Sequence, residues 1–190
     1  MKIIKSKILS KYKELIHGVS SKIGLDRNAP FYFNLSFTVG DDPAIVEENR
    51  RAFFSELGVG GKVVLQKQTH SDNVAVMENG CVLENNDALI TAKKNLALAV
   101  SLGDCTPILI YDKESQVIAA VHSGWRGTEK KILLKTLNRL KDEFNSKPEN
   151  LIAYVGPAIC RGCYEVGNEV AGKFDGKYVK TLDEKYYLDV

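Results

Sequence analysis

The stretch VIAAVHSGWRGTEKKILLKTL, residues 117–137, decides how the rest of the chain is read. A dry apolar run, 117–121, leads into His122, then the only tryptophan, Trp125, then Arg126 between Gly124 and Gly127. From 129 to 144 the pattern changes. Leu133, Leu137, Leu140 and Phe144 recur at spacings of four, three and four with lysines opposite, the period of an amphipathic helix. A buried strand therefore hands over to a helix here, with Thr128 as the expected cap.

Working outward, DALIT, LALAVSL, TPILIYD and QVIAAVHS are four apolar runs parted by turn-forming residues. Near-continuous apolarity, rather than alternation, predicts strands buried on both faces. KVVLQKQ and NVAVME flank THSD, which predicts strand, tight loop, strand. DDPAIVEENRRAFFSELGVGG predicts a helix capped by Asp42, with Pro43 in its first turn and Gly58 and Gly60 stopping it. Further on, LIAYVG reads as a strand, EVGNEVAGKF as a short helix, and YVKTLDEKYYLDV as a hairpin turning at Asp183-Glu184. Strands and helices mix without strict βαβ alternation, so the expected class is α+β, a layered mixed sheet with flanking helices. No repeat, low-complexity tract or linker appears, and residues 1–190 read as one domain.

The totals narrow the function classes. Hydrophobic content of 44% with 26% charged residues fits a soluble globular chain. A net charge of +2 argues against a dedicated nucleic-acid binder, which concentrates basic charge on one face. No apolar run is long enough to span a bilayer, and lysines interrupt the start MKIIKSKILSKYKELIHG, so it lacks a signal peptide's apolar core. The chain reads as cytoplasmic with no membrane partner. Cys81, Cys105, Cys160 and Cys163 are then thiols or metal ligands rather than a disulfide frame. Most restrictive is the histidine count of three: His17, His70 and His122.

His70 falls in a loop between strands, His122 at a strand end, and Cys105 between two apolar runs. Strand ends in one sheet can converge. Two imidazoles and one thiolate form a good Zn²⁺ set that leaves a fourth position open, and such a site brings water ionisation towards neutral pH. A lone buried cysteine is also commonly a small hydrophobe, and a lone histidine a hydrogen-bonded bystander, the reading given to His17. Spacing alone leaves both open. The small residues around Cys105 and His122 suit close ligand approach. A helix starting near Thr128 would offer N–H groups to an anion, and Arg126 a planar fork for phosphate or carboxylate, unless it merely caps a surface loop. Trp125 either stacks on a base or plugs the core, the plainer reading. The C-x-x-C of PAICRGCYEVG is a weak zinc signal by itself. Its echo, with HSD, of zinc nucleobase deaminases fails because Asp72 replaces the glutamate and Pro157 stands two residues away from adjacency to Cys160.

In order, QTHSDNV, DALIT, GDCTPILIYD, AAVHSGWRGT and GPAICRGCYEVG resemble the laccase-domain family. That family, named multicopper polyphenol oxidoreductases, has been reinterpreted as purine nucleoside phosphorylases, and the likeness runs from HGVSSK to YYLDV. The resemblance implies a zinc site of His70, Cys105 and His122, with copper as an occupant in vitro. It implies a layered α/β sandwich related to cysteine hydrolases of cytotoxic-necrotizing-factor type. The implied activities are phosphorolysis of adenosine, inosine and methylthioadenosine, and deamination of adenosine, with purine nucleosides and phosphate as partners. Arg126, Gly127 and Thr128 are then the expected phosphate contacts. Asp104, Arg126 and Glu165 are the candidate catalytic groups, Asp104 alternatively orienting a ligand. The oligomeric state stays open.

Two competitors remain. Cys105 as nucleophile with His122 as base would make an amidase or peptidase acting on cell-wall precursors; a metal-stabilised binding module would have no catalysis. Multicopper oxidation is disfavoured. Its type 1 and trinuclear centres need many imidazoles, and a single blue-copper site wants an axial methionine, whereas only Met1 and Met77 are present. Three departures from the family stand out. Lys22 replaces the more usual arginine, Cys160 is an extra thiol beside Cys163, and family members continue past LDV with a further helix, a cysteine-containing strand and an arginine-rich segment.

Overall fold

Asp42 opens the first helix as the sequence predicts: its Oδ1 accepts the Ala44 amide at 2.8 Å, with Pro43 in the first turn. This helix, α1 (Pro43–Leu57), ends at Gly58, whose φ of 82° is the left-handed cap that a Cβ disfavours. The computed structural model describes residues 1–79 and 83–189, so Cys81 lies outside the described residues. The chain, read above as one domain, gathers into two units, 1–63 with 94–97 and 64–93 with 98–190. In the first, β1 (Ile3–Ile4) pairs antiparallel with β2 (Val19–Ser20), and Leu9, Phe33, Val46 and Phe53 are buried. Asn49 is buried too, and satisfied: its Nδ2 donates to the Asn34 carbonyl and its Oδ1 accepts from Arg27 Nε.

The remaining strands, in chain order, are β3 (Lys62–Lys67), β4 (Val74–Val76), β5 (Leu83–Glu84), β6 (Ala88–Thr91), β7 (Leu96–Ala99), β8 (Thr106–Asp112), β9 (Ile118–Ser123), β10 (Leu151–Val155), β11 (Glu165–Val166), β12 (Val179–Leu182) and β13 (Lys185–Leu188). The division between the units falls within β3 and within β7. In the second unit, a five-stranded sheet runs β10-β8-β9-β6-β4, with β4 parallel to β6 and the other neighbours antiparallel. DALIT, TPILIYD and QVIAAVHS become β6, β8 and β9, nearly all buried, as continuous apolarity predicts. In LALAVSL only Leu96 of β7 is buried. KVVLQKQ and NVAVME both form strands, but β3 pairs in parallel with β5 while β4 joins the five-stranded sheet, so THSD carries the chain between sheets.

The helix expected over 129–144 is interrupted. α2 (Trp125–Glu129) starts from Gly124, Lys131 takes a left-handed φ of 62°, and α3 (Ile132–Phe144) follows. That turn delivers Ile132 fully into the core with Leu140, against Ala88, Ile90, Ile108, Ile110, Ala119 and Val121. Each large apolar side chain so buried contributes about 1.5–3 kcal/mol. The stripe of Leu133, Leu137, Leu140 and Phe144 begins only after this kink, which is why its periodicity does not reveal it. Leu133, Leu137 and Phe144 pack at the margin of this core. Downstream come α4 (Asn168–Ala171) and the expected hairpin. Its strands β12 and β13 turn at Asp183 and Glu184, both at positive φ (48° and 61°), the pair of left-handed residues that a two-residue hairpin turn needs. No described helix is long and apolar enough to cross a membrane.

Candidate metal centre

Sheet topology brings the predicted ligands together. Since β9 runs antiparallel to both β6 and β8, while β4 parallels β6, the starts of β4, β6 and β8 meet the end of β9. His122 lies near the end of β9 opposite Pro107, Cys105 directly precedes β8, and His70 lies on the loop before β4. One donor atom from each of His70, Cys105 and His122 lies within 4.8 Å of the others. Cys105 Sγ is 3.9 Å from His70 Nε2, and the imidazoles meet edge to face with centroids 4.9 Å apart. His122 is buried, Cys105 half-buried and His70 exposed, so the set runs from the interior to solvent.

Asp87, immediately before β6, organises this cluster. It is fully buried; its Oδ1 lies 2.8 Å from His122 Nδ1, and its backbone carbonyl accepts the His122 amide at 2.7 Å. The carboxylate also accepts the amides of Thr69, His70 and Ser71, at 3.2, 3.1 and 2.7 Å, and the Ser71 hydroxyl at 2.7 Å. These bonds hold the loop where His70 takes a left-handed φ of 56°, a conformation uncommon outside glycine. Burial pushes the Asp87 carboxyl up, but hydrogen bonds from His122 and from Ser71 and Thr69 outweigh it and bring the pKa down to about 2. For His122, burial lowers the pKa, whereas the hydrogen bonds to Asp87 and Cys105 and their charges raise it to about 9. His70 is lowered by burial and by the neighbouring His122 and Arg126 charges, partly offset by Asp87.

The residues fit a tetrahedral metal. With Nδ1 committed to Asp87, Nε2 of His122 is the nitrogen left for an ion, the usual carboxylate–histidine–metal arrangement. Bonds of about 2.0–2.3 Å place tetrahedral donors about 3.3–3.7 Å apart, a modest contraction of the observed cluster. Gly124 makes the room: a Cβ there would sit 2.9 Å from His70 Cδ2 and 3.0 Å from Cys105 Sγ.

The other predicted residues divide. Arg126 is exposed, its guanidinium 4.2 Å from the Trp125 ring centroid, and its charge reaches His70 and Tyr164. Trp125 is half-buried beneath that cation, not the expected core plug. Thr128 does not begin the helix. It sits inside α2, where its amide and hydroxyl both donate to the Gly124 carbonyl and its hydroxyl also meets Ser123 Oγ, which removes the basis for an anion contact there. Gly127 is buried, with Ser71 O and Ile132 close to where its Cβ would be. Asp104 is exposed; its carbonyl accepts the Ile159 amide and its charge reaches Tyr164. Glu165 is exposed and paired with Lys185 at 2.9 Å.

Tyr164, next to Glu165, is one of two residues that the sequence did not single out. Burial and the Cys105 charge push its hydroxyl pKa up, while Arg126 draws it down. The Tyr164 phenol feels the Cys105, Asp104 and Arg126 charges, whereas the Glu165 carboxylate is paired with Lys185. Asp87 is the other, although a carboxylate opening the fully buried β6, a place that a charge tolerates only with donors, was a signal that could have found it. Asp72, which stands where a deaminase glutamate would be, is engaged by Lys130 and Lys135. His17, in the first unit, accepts the Ser6 amide through Nε2, as a bystander would.

Residues 16–190 match the family described as multi-copper polyphenol oxidoreductase laccase. The chain is 38% identical over 154 residues to a purine nucleoside phosphorylase of Clostridium acetobutylicum, covering 81% of this chain and 62% of that protein. It is 36% identical over 176 residues to a purine nucleoside phosphorylase of Corynebacterium glutamicum, covering 88% and 71%. Adenosine deaminase RL5, from an unknown prokaryotic organism, is 35% identical over 168 residues, covering 83% and 64%. Among solved structures, the hypothetical protein YfiH of Bacillus licheniformis superposes with a TM-score of 0.82 at 27% identity, covering 90% of this chain and 72% of that one. The chain thus spans roughly two thirds of these relatives' length.

Proposed function

The chain belongs to the multi-copper polyphenol oxidoreductase laccase family, and we propose that it is a zinc-dependent purine nucleoside phosphorylase of adenosine, inosine and methylthioadenosine that also deaminates adenosine. The observation that carries this reading is the approach of one donor atom from each of His70, Cys105 and His122 to within 4.8 Å, open to solvent on the His70 side. Relatives bearing both activities by name support it. Three histidines, with His17 spent on the Ser6 amide, favour one mononuclear site over a multicopper centre.

His70, Cys105 and His122 would hold the ion, which when bound supplies Lewis acidity and activates water near neutral pH. Asp87 fixes the His122 ring so that Nε2 faces the cluster. Arg126, pre-positioned over Trp125, would hold phosphate against the anomeric carbon through its planar fork. Tyr164, whose phenol is pushed up by burial and by the Cys105 charge, would donate to a developing negative charge, and Asp104 would accept or return a proton at the exposed rim. Glu165 is better assigned to its Lys185 pair. A cytoplasmic location suits these substrates.

The test joins elemental analysis to chromatography of adenosine and inosine incubated with phosphate. Zinc-loaded protein should consume both, and His122→Ala should lose the metal and the products together. Nucleosides untouched by the zinc-loaded protein would sink the proposal.

One observation favours a second reading. Cys105, His122 and Asp87 form a hydrogen-bonded thiol–imidazole–carboxylate series, the arrangement of a thiol hydrolase. Covalent trapping of Cys105 by an electrophilic amide in metal-stripped protein, with turnover indifferent to chelators, would favour it.

A further inference from the structure

The sequence CRGC, residues 160–163, takes no part in the His–Cys–His cluster, yet it brings two thiols together. Cys160 Sγ and Cys163 Sγ lie 3.1 Å apart, and both residues are exposed. A turn sets this distance, with the amides of Cys163 and Tyr164 both donating to the Cys160 carbonyl, at 2.9 and 3.1 Å. The loop borders the candidate site, since the Ile159 amide donates to the carbonyl of Asp104, the neighbour of Cys105.

We propose that Cys160 and Cys163 are a modification site, closing reversibly into a disulfide by exchange with a small-molecule disulfide. A disulfide bond measures about 2.05 Å, so the sulfurs need to approach by only about 1 Å. Gly162, whose would-be Cβ meets nothing within 4 Å, leaves the loop space to do so. The contact between the sulfurs also makes the two thiols unequal, drawing Cys160 below the ordinary thiol value and pushing Cys163 above it. The thiolate is the attacking form, so Cys160 begins.

The exchange balances in two steps. Cys160 Sγ⁻ attacks one sulfur of the small disulfide, forming a mixed disulfide and releasing one thiolate. Cys163 then gives up its proton and attacks Cys160 Sγ, expelling the second. Two protein thiols are oxidised, the reagent is reduced to two thiols, and the protons end on the leaving sulfurs. The inference is independent of the proposed nucleoside chemistry.

The 190-residue chain is equilibrated with glutathione mixtures running from reduced to oxidised, quenched, alkylated and mapped after trypsin. Cleavage after Arg161 separates the two cysteines, so an internal disulfide leaves the peptides ending at Arg161 and beginning at Gly162 joined. The expected result is that joined pair in oxidised wild type, complete loss of two alkylatable thiols, and full reversal on reduction. Cys160→Ser and Cys163→Ser should each retain a single glutathione adduct at the remaining thiol. Failure to join at every ratio, or cross-links to Cys105 or Cys81 instead, would overturn the proposal.

Discussion

Asp87 grips His122 twice, through a 2.8 Å contact from Oδ1 to the ring Nδ1 and a 2.7 Å bond from its carbonyl to the amide. Asp87→Asn keeps the shape but presents a neutral amide to the ring, so Nε2 is no longer the fixed free nitrogen. Metal affinity should fall about 10–100-fold. Competition against a fluorescent chelator measures this, with circular dichroism checking that the fold persists.

Without metal, the same pair should write itself into the pH dependence of stability. His122 is raised from 6.5 to about 9, so its contribution is whole below pH 6.5 and disappears as pH rises through 9. Asp87 is lowered from 3.8 to about 2, so its contribution is whole above pH 3.8 and is lost as pH falls through 2. Urea titrations of chelated protein should give a plateau between these flanks and a decline from pH 6.5 to 9. Asp87→Asn should flatten both.

Gly124→Ala places a methyl 2.9 Å from His70 Cδ2 and 3.0 Å from Cys105 Sγ. Both ligands must withdraw, and zinc content measured after dialysis should drop sharply. Gly176→Ala, in open space, should leave it unchanged.

Ile132→Ala and Leu140→Ala each empty a fully buried position under the five-stranded sheet. Each should cost about 2–5 kcal/mol in denaturant unfolding. Leu134→Ala, on the 51% exposed side of the same helix, should stay within about 0.5 kcal/mol of wild type.

What the sequence disclosed follows from how local each signal is. Asp42, Pro43 and Gly58 bound α1 through contacts within a few residues, and Asp183-Glu184 turn the final hairpin through their own backbone angles. Continuous apolarity marked β6, β8 and β9 because both faces of each are covered. That His70, Cys105 and His122 come together was legible because so few histidines were available to choose from. Pairing was not: nothing in KVVLQKQ or NVAVME says that β3 and β4 belong to different sheets. The kink at Lys131 comes before the first leucine of the stripe, so the stripe carries no sign of it. That Tyr164 rather than Glu165 feels the site's charges depends on packing between distant segments, which local sequence does not encode.

His70 and Cys105 are 35 positions apart, and together with His122 they sit at the rim shared by β4, β6, β8 and β9. An ion held there acts as a rivet through that rim, and any ligand that binds only the native state adds stability in proportion to the logarithm of its concentration. Chelation should therefore soften the whole second unit rather than only silence it. A cell starved of the ion would notice first through proteolysis, as dwindling abundance of the chain, before catalytic output per surviving molecule changed at all.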